Sequence, residues 1–212
     1  MLVALAAYLL GSIPTGYLVA RAKGVDIRTV GSGNIGATNV FRILGRPAGV
    51  FVLLMDALKG WVACAYLSWF AYEHVAPNYF VENVRLVVGL KVVAGIAAVL
   101  GHNYTCWLRF KGGKGIATSA GVLVALVPWA LLIILAVWIV LFLTTRYVSV
   151  GSLAAAAVLP FATWFTTGHD VVLTSVTGAM SVLAIYKHKA NIQRLLNGTE
   201  SRITFKKEKS AA

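Results

Sequence analysis

The feature that most constrains this chain is a succession of long apolar runs, over 2–20, 48–72, 84–100, 116–144, 149–167 and 171–186, separated by short polar gaps. About 20 apolar residues in a helix cross the hydrocarbon core of a bilayer, and a helix satisfies its own backbone there. With 59% hydrophobic residues, 12% charged residues and a mean hydropathy of +0.80 over 212 residues, the chain falls outside the balance of a soluble domain. The reading is an all-α, polytopic integral membrane protein. Its 19 Lys and Arg against 7 Asp and Glu give a net charge of +12. These bases sit in the gaps between apolar runs, which points to a membrane surface facing the cytoplasm and away from nucleic acid.

The fourth run decides the topology. At 29 residues it would extend roughly 43 Å as one helix, longer than the core, and Pro128 near its middle favours a break. Crossing once would strand Arg146 and the basic C-terminal stretch on the opposite side from the loops that hold Arg21 to Arg46 and Arg109 to Lys114. Two short helices put all of these bases on one side, as the positive-inside rule prefers. The outer loops then carry Glu73, Glu82 and Asp170. Arg21 and Lys23 follow the first apolar run instead of preceding it, so a retained first helix is expected. The expectation is therefore seven transmembrane helices, with the N-terminus outside and the C-terminus cytoplasmic. Residues 1–202 form a single transmembrane domain and 203–212 a basic cytoplasmic tail.

Three polar stretches fall on the cytoplasmic face. The first comprises Gly31, Ser32, Gly33, Asn34, Gly36, Thr38 and Asn39, with Arg42 just beyond. It spells GxGxxG, but a membrane helix follows where a dinucleotide fold needs a βαβ unit. Its glycines and small polar residues suit a backbone nest for an anion. The second is Gly112-Gly113-Lys114-Gly115, directly before a helix whose free amides and positive end favour phosphate. It is not a Walker A loop, because Leu108 replaces the leading Gly and Gly115 the magnesium-binding Ser or Thr. His102, at the end of the third span, either caps that helix or faces the ligand.

In the third stretch the last span continues as a basic amphipathic helix. Lys187, Lys189 and Arg194 suit anionic membrane lipid, whereas His188 and Asn191, three apart, share one face and can meet one ligand. Asp56 and Lys59 are also three apart and can neutralise each other inside the membrane; with Lys91 they stay outside the candidate site. Cys64 and Cys106 lack any metal-ligand spacing, and no metal or cofactor is expected. There is no carboxylate pair, GxSxG or Ser-His-Asp set. What emerges is a pocket for two anions, one of them the head of an amphiphile.

GSGNIGATNVFR, GHNYTCWLRFKGGKGIAT and HKANIQRLLNGTE, in this order between spans, resemble the three cytoplasmic motifs of the bacterial acyl-phosphate:glycerol-3-phosphate acyltransferases. One departure is Thr105, where the family pattern has Pro. The resemblance implies transfer of a fatty acyl group from acyl phosphate to the 1-hydroxyl of glycerol 3-phosphate, the first acylation of phospholipid synthesis, in the bacterial inner membrane. It implies that Arg42, Lys114, His188 and Asn191 hold glycerol 3-phosphate with Ser149 nearby, that the Gly31 to Asn39 loop holds the acyl phosphate head, and that a soluble enzyme forming acyl phosphate is a partner. His188, Lys114 and Ser149 are the candidate catalytic residues. An acyl phosphate is already activated, so the reaction needs only positioning, charge stabilisation and a proton acceptor, either His188 or a substrate phosphate. A transporter for organic phosphates would also want such anion sites, but it calls for internal repeats and a polar path from the outer side, and neither is evident in the sequence.

Overall fold

The computed structural model describes residues 1–75 and 84–203. Among these residues every regular element is helical. Glu82 and the basic tail beyond 203 lie outside the described residues.

The first apolar run is interrupted. Helix α1 (Leu2–Ser12) ends at Ile13, and Pro14, which has no amide hydrogen to give, precedes α2 (Thr15–Ala22). A break in hydrocarbon needs partners for the carbonyls it frees. Thr105 donates its hydroxyl to the Ser12 carbonyl at 2.5 Å, and Lys59 Nζ donates to the Ile13 carbonyl at 2.9 Å. Thr105 has φ −64°, a value that a proline ring also takes, and its hydroxyl makes a bond that proline could not.

Helices α3 (Ala37–Leu44) and α4 (Arg46–Trp61) follow. α4 runs through a π-helical turn, Val62–Leu67, into α5 (Ser68–Val75). α6 (Val84–Asn103) returns, and a short 3-10 turn, Cys106–Leu108, leads to the glycine loop. The fourth run does break at Val127, with α7 (Ile116–Leu126) before it and α8 (Pro128–Thr145) after it. The halves are unequal: α7 has 11 residues and α8 has 18, so only α7 is short. α9 (Val148–Thr166), α10 (Val171–Lys187) and α11 (Lys189–Leu196) complete the chain, with a bend of 55° between the last two.

Among the described residues five helical stretches, 2–22, 46–74, 85–108, 128–145 and 148–166, are long and apolar enough to cross a membrane, and the bent pair of α10 and α11 makes a sixth when taken as one span. α8 turns Leu132, Ile133, Leu135, Ile139, Val140 and Leu143 outward, as a lipid-facing helix should. Exposed Trp107 and Phe110 lie beside the glycine loop, and exposed Trp129, Phe161 and Phe165 lie at the opposite end. Aromatic residues at both ends of a bundle suit the two interfaces of a bilayer.

Packing is carried by three clusters. Val122, Leu123, Val127, Leu159 and Met180 join α7 to α9 and α10. Ile27, Ile35, Val40, Val52 and Leu108 form a floor beneath the first polar loop. Ala7, Ala63, Ala94 and Ala98 let α1, the π turn and α6 approach closely, the usual role of small residues between membrane helices. α4 and α7 meet at glycines: a methyl group on Gly121 would collide with the Ala57 carbonyl and the Trp61 amide, whereas one on Gly178 would meet nothing within 4 Å. Gly121→Ala should therefore lower the melting temperature of the solubilised protein, by overpacking worth about 1–3 kcal/mol. Gly178→Ala should hold or raise it, and equal effects of the two would contradict this packing.

Candidate functional site

The first polar loop is held from within. Asn39, only 2% exposed, accepts the Ser32 amide at 2.9 Å and donates to the carbonyls of Ile27, Val30 and Asn34 at 3.0–3.2 Å. Asn34 Oδ1 accepts the Gly36 amide at 2.9 Å. Asn39 is thus committed to shaping the loop, whereas Asn34 spends only its Oδ1 there and its Nδ2 makes no bond among the described residues. Gly31 and Gly33 adopt positive φ, +60° and +68°, which turns the chain back toward α3. The hydroxyls of Ser32 and Thr38 make no bond among the described residues. They border the N-terminus of α3, whose first amides lack helical acceptors. Thr38 and Arg42, four apart, lie on one face of that helix.

The glycine loop rests on the end of α6. Gly113 N–H donates to the His102 carbonyl at 3.0 Å and Gly112 N–H to the Asn103 carbonyl at 3.2 Å, so these two amides are spent on the scaffold. Gly115 caps α7 with φ +80° and leaves the first-turn amides of α7 open beside Lys114. His102, 5% exposed, lies beneath the loop with its Nε2 edge against Gly113 and Nδ1 3.6 Å from Asp56. Asn103, fully buried, lies against Gly115, and its carboxamide has no bond among the described residues.

A chain of bonds draws the remaining candidates together. Lys114 Nζ donates to Asn191 Oδ1 at 2.5 Å, Asn191 Nδ2 donates to Glu200 Oε1 at 2.6 Å, and Ser149 Oγ donates to that same oxygen at 2.8 Å. Arg194 Nε donates to Glu200 Oε2 at 2.7 Å, and Arg42 donates to the Ser201 carbonyl at 3.0 Å. Arg42, Lys114, Ser149 and Asn191 therefore meet, with His188 one helical turn away on the Asn191 face. Because Lys114 precedes α7 and Ser149 follows α8, these two helices leave this site and return to it. The bond from Ile203 N–H to the Arg146 carbonyl at 3.0 Å closes the same corner.

Glu200 was not singled out from the sequence. Its one signal there is to be the only carboxylate between Asp170 and Glu208, within a basic stretch. Burial pushes its carboxyl up, but bonds from Arg194, Asn191 and Ser149 outweigh burial and hold it below the usual carboxylate range. Lys114 is pushed down to about 8, first by burial and then, against the pull of Glu200, by the charges of Arg194 and Arg42. His188 is pushed down to about 4 by burial and by Lys114, despite its bond to Ala184 and the nearby Glu200. It is therefore neutral at pH 7. Its Nδ1 lies 2.8 Å from the Ala184 carbonyl and must donate, so Nε2 carries a lone pair. Three cations around one carboxylate leave an excess of positive charge for anions, and a neutral imidazole stands beside them as a hydrogen-bond acceptor. No three His, Cys, Asp or Glu residues cluster as a metal site among the described residues.

A family model described as glycerol-3-phosphate acyltransferase matches residues 1–198. The glycerol-3-phosphate acyltransferase of Fusobacterium nucleatum is 43% identical over 199 residues, covering 93% of this chain and 95% of that protein. That of Geobacter sulfurreducens is 45% identical over 196 residues, covering 92% and 93%. Among solved structures, PlsY, an integral membrane glycerol 3-phosphate acyltransferase, superposes in its glycerol 3-phosphate form with a TM-score of 0.81 at 39% identity, covering 96% of this chain and 94% of that one. Its lysophosphatidic acid form gives a TM-score of 0.78 at 38% identity, with the same coverage.

The depressed pKa of His188 fixes a stability slope. Between about 4, the folded value, and 6.5, the ordinary one, the unfolded chain binds the extra proton, so stability rises with pH across that window. The full shift corresponds to about 3 kcal/mol. Glu200 adds stability in the same direction, present above its ordinary carboxylate value and lost as pH falls through its lowered folded value. The melting temperature should climb between pH 4 and pH 6.5, and His188→Gln should flatten that climb. An unchanged slope in the variant would contradict a buried neutral imidazole.

Proposed function

The chain belongs to the glycerol-3-phosphate acyltransferase family, and from that premise we propose how its residues share the reaction. It is a membrane enzyme that acylates glycerol 3-phosphate to lysophosphatidic acid. The proposed donor is acyl phosphate, supplied by a soluble enzyme that forms it, and the proposed location is the bacterial inner membrane. The observation that carries the reading is the convergence of Arg42, Lys114, Ser149 and Asn191 around Glu200, beside a neutral His188.

In this scheme the phosphate of glycerol 3-phosphate lies on Lys114, Arg42 and the open amides of α7, and Asn191 fixes its glycerol part. The acyl phosphate head lies at the N-terminus of α3 against Ser32 and Thr38, and its acyl tail runs between helices into the bilayer. The 1-hydroxyl oxygen attacks the acyl carbonyl carbon, the bond from that carbon to the phosphate oxygen breaks, and inorganic phosphate leaves. The hydroxyl proton passes to an oxygen of the departing phosphate. His188 Nε2 accepts a hydrogen bond from the 2-hydroxyl of glycerol 3-phosphate and so orients the attacking 1-hydroxyl, whose own proton stays directed at the phosphate. Ser149 acts by holding Glu200, which keeps Asn191 in place. No protein nucleophile is needed, because the mixed anhydride is already activated and the site supplies orientation and charge.

The seven-span topology belongs to the same proposal. α7 serves as a short seventh crossing, the N-terminus is outside, and the site faces the cytoplasm. The bases of the loops before α3 and α7 and after α8 then share the inner face.

Purified protein should release phosphate only when acyl phosphate and glycerol 3-phosphate are both present, and release from acyl phosphate alone would contradict the reading. A lysine with a pKa of about 8 adds a pH limit: as pH rises through that value Lys114 loses its charge, and kcat/KM for glycerol 3-phosphate should fall about tenfold per pH unit. Lys114→Arg should move that limb to higher pH, and Lys114→Met should cost on the order of 10²–10³ in kcat/KM at pH 7. Separately, His188→Gln keeps a hydrogen-bonding side chain and should retain measurable turnover. Loss of activity to background with substrate binding intact would instead make His188 the proton acceptor.

A further inference from the structure

The scheme above leaves one buried charged group unused. Asp56 and Lys59, one turn apart on α4, have side chains only 3% and 6% exposed, with Lys59 Nζ 2.8 Å from Asp56 Oδ1. Lys59 also holds the Ile13 carbonyl at the break between α1 and α2, at 2.9 Å. From α6, His102 brings Nδ1 to 3.6 Å from the same Asp56 oxygen. The opposite edge of that imidazole, at Nε2, occupies the space into which a side chain on Gly113 would extend. The His102 carbonyl accepts the Gly113 amide at 3.0 Å, so ring and backbone of one residue both bear on one glycine of the loop.

An ion pair in hydrocarbon is costly, and joining α1, α4 and α6 does not require one. Elsewhere α1 and α6 pack through alanines, and α4 and α7 pack through glycines. What the charges add is direction. A carboxylate facing one ring nitrogen selects the ring orientation, and that orientation decides which edge meets the loop.

We propose that Asp56, braced by Lys59, is a positioning residue that acts through His102: it turns the imidazole so that the Nε2 edge supports Gly113 and sets the height of the Gly112–Gly115 loop. The loop in turn aims Lys114 and the first amides of α7 at the substrate phosphate. Gly60 brings α4 against the Thr118 backbone, so the helix that carries the brace also touches the helix that the loop begins. Lys59 ties this assembly to the α1 break, which joins the loop to three helices through one carboxylate. The inference rests on glycerol 3-phosphate being the ligand of that loop.

The test is a kinetic cycle of wild type, Asp56→Asn, His102→Gln and the double variant, with each substrate varied in turn. Gln reproduces the reach of Nε2 toward Gly113 and lacks the Nδ1 link to Asp56. Each single variant should raise KM for glycerol 3-phosphate by about tenfold or more and leave KM for acyl phosphate within about twofold, while the melting temperature stays near that of wild type in His102→Gln and falls in Asp56→Asn, which leaves Lys59 an unpaired buried cation. The double variant should be no worse than the weaker single one, because the second change removes a link already lost. Independent effects that multiply, or equal losses for both substrates, would overturn the proposal. Where Asp56→Asn does not accumulate folded, Asp56→Glu keeps the charge, displaces it by one methylene and gives the same readout. A wild-type protein that fails to turn over glycerol 3-phosphate would count against the function itself, whereas an active wild type with multiplying variants counts against the brace alone.

Discussion

One carboxylate organises the end of this protein at which Lys114 and Asn191 meet. Glu200 takes hydrogen bonds from Ser149 on α9 and from Asn191 and Arg194 on α11, and the carbonyl of the next residue takes Arg42 of α3. Asn191 passes the connection on to Lys114 at the foot of α7. Elements distant in sequence are thus fixed to the segment that follows α11. Without this negative charge, Arg42, Lys114 and Arg194 would be partly buried cations with only one another nearby, an arrangement that drives groups apart or into their neutral forms. With it, the cations stay together and a net positive charge remains for a ligand.

The bilayer imposes a second discipline, visible at the two helix breaks. At Ile13–Pro14 the freed carbonyls take their bonds from Lys59 and Thr105. At Val127 the chain restarts at once, with Pro128 in the first turn of α8, where its missing amide costs nothing, and the Leu131 amide donating back to the Val127 carbonyl at 3.0 Å. The two solutions differ in what they require from the rest of the chain. The second is local, whereas the first recruits side chains from α4 and from the loop after α6 and so ties the break to the floor of the anion site.

This difference also explains what could be read from the residues in order. The apolar runs and the break before Pro128 are local properties of hydropathy and backbone, and they were legible. That α7 and α8 return to the same site followed from counting bases, because charge asymmetry is a property of whole loops. The meeting of Arg42, Lys114 and Asn191 was legible only as three motifs sharing one face. The hub itself was not, since Glu200 has no spacing to any partner and its bonds reach back as far as Ser149. By composition Asn34 and Asn39 are equal ligand donors, and only the folded loop shows the donor bonds of Asn39 turned inward. The underside position of His102 was equally hidden, because it depends on Asp56 lying on a neighbouring helix. The inequality of α7 and α8 follows from the place of Pro128, which divides the run 116–144 into unequal parts.

The brevity of α7 carries a mechanical consequence. Eleven residues rise about 16 Å, roughly half of a hydrocarbon core, yet its foot is tied through Lys114 to the Glu200 cluster. Its far end is flanked by an apolar hollow lined by Val124, Pro128, Trp129, Leu131 and Leu132. A short helix tethered at one end transmits any change in bilayer thickness toward that tether, since mismatch is relieved by tilt or by thinning of the lipid. With α7 as the short crossing proposed above, membrane thickness becomes a lever on the helix that presents Lys114, and a protein whose product is itself a lipid stands under the physical influence of what it helps to build.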